Sequence, residues 1–306
     1  EIPLCDWSSD VCSSDLVLHQ HVEVGLPIGD LGLTDEAHHG VLALPAQFGD
    51  LEASQRDGGV VAIWGHGAVE GVFNVNKFGR NFDLDTATVP EDMWNGGGIY
   101  TGFPTTGSAE TLQVFSSDAN DAAAGTGART LMIMGLDGNY NIINEIVTLN
   151  GTTPVLTTQT FWRVHTANVR TSGGTPTNSN FAAGNITVRH STTTANVFLF
   201  MPVGTNQSNS AGYTIPVGHT AFIKRIHGTV RGSTTAHVDI SLWIRLFGLA
   251  PRLRRPTAVN FGSELDDNIW GGLEVPEKTD IHLRMTATSA NNLDVVGGYD
   301  LLVFKD

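Results

Sequence analysis

AHVDISLWIRLF, residues 236–247, decides the fold class. Val238, Ile240, Leu242, Ile244 and Leu246 share one parity, and His237, Asp239, Ser241, Trp243 and Arg245 share the other. A period of two is the signature of a strand, because successive side chains leave a β backbone on opposite faces. The stretch therefore predicts a strand with one face on a core and the other facing water or a partner. Ile281, Leu283 and Met285 alternate with His282, Arg284 and Thr286 in the same way. Between residues 213–215 and 221–231, Pro216-Val217-Gly218 reads as a turn, with proline presetting φ and glycine closing it.

Working outward, short runs rich in Val, Ile, Thr and aromatics recur at 131–134, 142–149, 161–169, 186–190 and 197–201. Asp137-Gly138-Asn139 separates the first two as a hairpin-like turn. No helical period persists, and strands at roughly 8–12-residue spacing favour sandwiches over a parallel α/β sheet. The expected fold is all-β: two β-sandwich, jelly-roll-like domains at 101–205 and 206–306 behind an extended, irregular N-terminal arm. Their boundary is placed in the polar stretch GTNQSNSAG, residues 204–212. The arm is assigned to 17–100, where glycine, proline and aromatics mix without either period, as in GLPIGDLGLTDEAHHGVLALP. Such a segment suits anchoring along another subunit.

The 306 residues, 41% of them apolar, are enough for two cores. No apolar run reaches the roughly 18–20 residues of a membrane span; residues 240–249 are interrupted by Ser241 and Arg245. Seventeen basic against thirty-one acidic side chains give a net charge of −14, which opposes nucleic acid as a partner. Residues 6–16, DWSSDVCSSDL, resemble a sequencing adapter translated in frame, with 1–5 as its continuation, so 1–16 are set aside as an artefact with the natural start missing. Both cysteines, Cys5 and Cys12, fall inside it, and the remainder is expected to hold no disulfide or thiolate site.

There is no G-x-S-x-G elbow, and Gly125-Thr126-Gly127 lacks the third glycine and the helix of a dinucleotide fingerprint. His38 and His39 follow Asp35 and Glu36 without H-E-x-x-H spacing. Asp137, Asn139 and Asn141 resemble the start of a calcium loop, but its sixth position is Ile142 and its twelfth Thr148, so a plain turn is expected. Glu91-Asp92 and Asp266-Asp267 sit among turn residues, where surface solvation is the default. The expectation is a non-enzyme with no catalytic residue, no cofactor and no metal. One feature stands against the acidic background: in IRLFGLAPRLRRP, residues 244–256, Arg252, Arg254 and Arg255, near Arg245, form a candidate docking patch for an acidic neighbour.

Five segments also carry a resemblance. SSDANDAAAGTGARTLMIMGLDGNYNIINEIVTLNGTTPV (116–155), YTIPVGHTAFI (213–223) and VPEKTDIHLRM (275–285) resemble three successive blocks of an uncharacterised family of tailed-bacteriophage virion structural proteins. VNKFGRNFDLD (75–85) and EDMWNGGGIY (91–100) resemble its N-terminal region, so that the likeness spans 71–306. The resemblance implies a non-enzymatic particle component, a capsid decoration (cement) or head-spike-like protein on the exterior of the head. Its partners would be the major capsid protein or other virion subunits and itself, as a homotrimer, with neither nucleic acid nor membrane. The alternative is a tail- or fibre-associated protein that binds a receptor or glycan.

Overall fold

Residues 70–174, 180–232 and 235–306 are described by the computed structural model; the fold below is that of the unit Asn74–Asp306. Residues 1–16, most of the expected arm (17–69) and His38 and His39 lie outside the described residues. The strands are β1 (Val72–Leu84), β2 (Glu91–Asp92), β3 (Leu112–Ser116), β4 (Ala128–Leu136), β5 (Ile142–Thr148) and β6 (Val155–Leu156). Then come β7 (Arg163–Ser172), β8 (Ile186–His190), β9 (Val197–Met201), β10 (Tyr213–Thr214) and β11 (His219–Arg231). The last five are β12 (His237–Arg245), β13 (Arg252–Asn260), β14 (Glu264–Val275), β15 (Asp280–Thr288) and β16 (Leu293–Lys305). The fold is all-β with antiparallel sheets.

Two sheets, β6-β3-β8-β9 and β5-β4-β7, share one core. Leu112 and Val114 of β3, Leu131 and Ile133 of β4, Ile186 and Val188 of β8 and Phe198 of β9 meet there, each at most 1% exposed. Each such side chain contributes about 1.5–3 kcal/mol when fully buried. The expected turn joins β4 to β5, and Asp137 organises it: its carboxylate accepts hydrogen bonds from the Asn139 and Asn141 amides and from Asn141 Nδ2. Positive φ is carried by Tyr140, at 66°, rather than by Gly138 or Asn139.

The other two sheets are β1-β16-β11-β14 and β10-β15-β12-β13, with β2 also pairing β15. Here the period-two reading holds: Val238, Ile240, Leu242 and Ile244 of β12 and Ile281, Leu283 and Met285 of β15 are all buried. Tyr299 Oη of β16 crosses between the layers to donate to the Ile281 carbonyl at 3.2 Å. Leu246 drops out of the series because the strand ends at Arg245. The opposite face of β12 was expected to meet water or a partner: at its start His237 is exposed, while at its end, and on β15 beside it, it meets this chain's own residues 92–103. Arg245 donates to the Phe103 carbonyl, Phe103 packs on His282, and Arg284 pairs with Asp92. Ser241, on the same face, is 1% exposed.

Residues 74–100, expected to be an irregular arm, belong instead to this second sandwich. β1 is a thirteen-residue strand beside β16, and β2 extends the facing sheet. Its alternation was hidden because the inward residues are Val75, Lys77, Gly79 and Asn81, while Phe82 points out at 41% exposed. Lys77 donates to the His165 carbonyl at 2.6 Å and Asn81 to Glu91 Oε2 at 2.6 Å. Gly79 passes so close to Met93 that a Cβ would collide with its carbonyl oxygen. The second sandwich is thus discontinuous in sequence, and β3 to β9 are inserted between its β2 and its β10. The stretch 204–212 is no free linker either, since Ser208 Oγ accepts from Ala167 N and Ala211 N donates to Met93 O.

Candidate functional site

The long edge of the second sandwich is open. β14 ends one sheet and β13 ends the other. A short turn at 261–263 joins them, with Gly262 at φ 76°. Nearly every residue of β13 is exposed. Bare edges invite pairing with other chains, and β13 is blunted by its arginines and by Pro256, as natural edge strands are. All three predicted docking residues lie here, on a strand rather than a loop. Arg255 grips Asp267 with two hydrogen bonds, at 2.7 and 2.9 Å, so its charge is answered within the chain. Arg252 and Arg254 are exposed and pair with no carboxylate among the described residues. Asp266 pairs with Arg225 at 2.6 Å, a hydrogen bond that holds its carboxyl below the ordinary range. Arg245 is not part of this patch.

On the same edge, β14 bulges. Ile223 pairs with Leu273 and Arg225 with Asn268, so only Lys224 stands against residues 269–272. Gly271 and Gly272 turn the chain at φ 78° and 77°, and a Cβ on Gly272 would come within 2.9 Å of Phe222 Cβ. Such a bulge re-aims a side chain. Here it lifts Trp270 into solvent at 97% exposed, while Leu253 on β13 is 45% exposed. No sequence period could have signalled Trp270; the paired glycines after it were the available cue.

Between the sandwiches lies the opposite environment. Asp280, the first residue of β15, is buried and accepts from Arg163 Nε at 2.9 Å, from Thr214 Oγ1 at 2.6 Å and from Arg245 Nε at 2.8 Å. Arg163 is at the start of β7, in the first sandwich, and also donates to the carbonyls of Trp162 and Pro104. Burial alone would raise the Asp280 carboxyl; the two guanidiniums reverse this and hold it below the ordinary range. Nearby, the Thr214 amide donates to His165 Nε2 at 3.3 Å, and the His165 ring packs on Tyr213. Burial, assisted by Lys77 and Arg163, keeps His165 well below its usual pKa, while burial brings the Lys77 ammonium down to about 7.

Asp92 accepts from Arg284 Nε at 2.7 Å and from the Tyr100 amide at 2.8 Å. His282, stacked against Trp243, is lowered to about 4, chiefly by burial. Glu91 and Asp92, expected to be solvated, are 4% and 3% exposed, because they cap polar groups inside the second sandwich. The sequence cue to this junction was the polar parity of β12 and β15, since Arg245 and Asp280 are paired in register. Long, charged and aromatic side chains on that parity turn to other segments of this chain, Phe103 and Asp92 among them.

Above the junction opens a cleft of about 710 Å³. Tyr140, Trp162 and Phe247 line it with Arg163, Arg245, Lys278 and Asp280. Trp162 Nε1 donates to Tyr140 Oη at 3.0 Å, and Phe247 meets Tyr140 edge to face, centroids 5.8 Å apart. A smaller cavity of about 120 Å³ lies behind Arg245, beside His282 and Asp92. Among the described residues no group of three or more His, Cys, Asp or Glu could hold a metal ion.

No protein-family model matches the chain, and no curated protein does. Among solved structures it is similar to one of infectious bursal disease virus, Gt strain, at 10% identity and a TM-score of 0.21, covering 76% of this chain and 72% of that one. A second, of the Gx strain, aligns at 12% identity and a TM-score of 0.20, over 76% and 70%. At TM-scores this low the likeness carries no argument about fold or function.

Proposed function

We propose that the chain is a structural, non-enzymatic component of a tailed-phage virion, a decoration protein that binds the outside of the head lattice and stabilises it. Its partner is the major capsid protein, and it attaches as a homotrimer of closed symmetry that leaves the β13–β14 edge to the lattice. The resemblance of residues 71–306 to virion proteins supports this reading. Trp270 is the observation that carries it, a fully exposed indole on a glycine bulge of β14, on the same open edge as the exposed Arg252 and Arg254 of β13. Tryptophan and arginine are the residues most enriched where protein interfaces hold their binding energy. An acidic capsid surface with an apolar pocket is the complement this edge requires, Arg255 serving to brace β13 against β14.

Imaging of intact particles tests the reading directly: density for the two sandwiches is expected on the head, with β13 and β14 toward the lattice. Trp270→Ser together with Arg252→Ser and Arg254→Ser should abolish attachment at low and high salt. Decoration by that variant equal to the parent's would place attachment elsewhere on the chain. The second reading, a tail- or fibre-associated glycan binder, draws on the aromatic cleft.

A further inference from the structure

We propose that the cleft between the two sandwiches binds an acidic saccharide, one whose sugar rings carry carboxylates. This site stands apart from the open edge, and the inference does not depend on attachment to a head. Three observations converge on it. The first is shape, since about 710 Å³ lies within the range of small-ligand sites.

The second is the walls. Phe247 is 64% exposed, so it belongs to no core, yet it is held edge to face against Tyr140, and Tyr140 is fixed by the Trp162 indole. Rigid rings with a polar atom at one end suit a pyranose, whose C–H face is apolar and whose rim is hydroxylated.

The third is charge. In a chain of net charge −14, this lining carries three cations, Arg163, Arg245 and Lys278, and one carboxylate, Asp280. Asp280 is saturated by both arginines and Thr214, so it does not repel an incoming anion as a free carboxylate would. Arg245 uses Nε and Nη2 on Asp280 and Phe103, and among the described residues the two N–H groups of Nη1 are left for a ligand. Lys278 is partly answered by Glu277 at 3.0 Å, and its ammonium sits 5.7 Å from the centre of the Phe247 ring. A cation beside an aromatic platform recognises a carboxylated ring better than a neutral sugar or a bare anion.

Calorimetry on the full chain tests this with a short oligogalacturonate, a neutral maltooligosaccharide of equal length, and inorganic phosphate. Oligogalacturonate should bind, more weakly at raised salt, and Phe247→Ala and Lys278→Gln should each weaken it by more than about fivefold. Both residues are on the cleft's surface, so an unchanged thermal midpoint shows that the variants are folded. No binding at millimolar oligogalacturonate, or binding untouched by both variants, overturns the proposal. Equal binding of the neutral sugar, or displacement by phosphate alone, overturns it too. So does a change in sedimentation mass on Phe247→Ala without an effect on the sugar, which would make the cleft a subunit contact.

Discussion

An arginine meets an aspartate both at the junction and on the open edge, and the two pairs are opposites. Arg163 and Asp280 have side chains 3% and 4% exposed. Arg255 and Asp267 are 44% and 23% exposed. The geometry is similar, 2.9 Å at the junction and 2.7 Å on the edge, so distance does not distinguish them. What differs is the medium. At the junction the Asp280 carboxylate is removed from water and held by Arg163, Arg245 and Thr214, so its loss would leave two guanidiniums without their anion. On the edge, water can take the place of either side chain, and the pair does little more than keep β13 beside β14. The buried pair joins two sandwiches; the exposed one shapes a surface that can be offered to another molecule.

The sharpest way to break this comparison is to remove the shared anion. Asp280→Asn leaves Arg163 and Arg245 buried and facing each other, and should cost about 3–5 kcal/mol, read as a lower urea midpoint. A loss below about 1 kcal/mol would mean that the junction is wet and behaves as the edge does.

Lys77 gives an intermediate effect with a definite sign. Its pKa is about 7 folded against the ordinary 10.5 of an unfolded chain, so between those values the unfolded state holds the proton and the folded state does not. Stability therefore rises with pH across this window, by up to about 1.4 kcal/mol per pH unit, and the burden of Lys77 is greatest below pH 7. Lys77→Met should flatten that rise relative to the parent. The comparison belongs below about pH 10, because buried Tyr100, Tyr213 and Tyr299 are raised and pull stability down above it. Equal slopes for parent and variant would show that Lys77 is hydrated.

The smallest effect is expected on the edge. Arg255→Ser should cost no more than about 1 kcal/mol, and Trp270→Ser should change stability by within about 0.5 kcal/mol. Larger losses in chemical denaturation would mark the edge as part of the core rather than a surface for partners.

These contrasts also explain what could be read from the chain alone. Val238 to Ile244 and Ile281 to Met285 announced their strands because their inward residues are all large and apolar. β1 was illegible because Lys77, Gly79 and Asn81 point inward, each for a reason that exists only in three dimensions: a distant carbonyl, a crowding backbone, a buried glutamate. Arg252, Arg254 and Arg255 were found as a cluster, while the pairing of Arg255 with Asp267 depended on two sheet edges meeting. Asp280 was passed over because one carboxylate at a strand start looks like any other until Arg163, 117 residues earlier, is placed against it.

The pairing of β1 with β16 has a consequence for how the molecule is made. On a ribosome β1 emerges early and waits while the whole inserted sandwich and nearly all of the other domain are synthesised. Arg80 finds Asp294, 214 residues later, only once β16 has emerged. The first sandwich needs no such delay, since β3 to β9 are contiguous and can close while translation continues. Birth order is thus reversed relative to sequence order: the domain begun first is finished last. Truncation in the last strand would strand both ends of one domain while sparing the other.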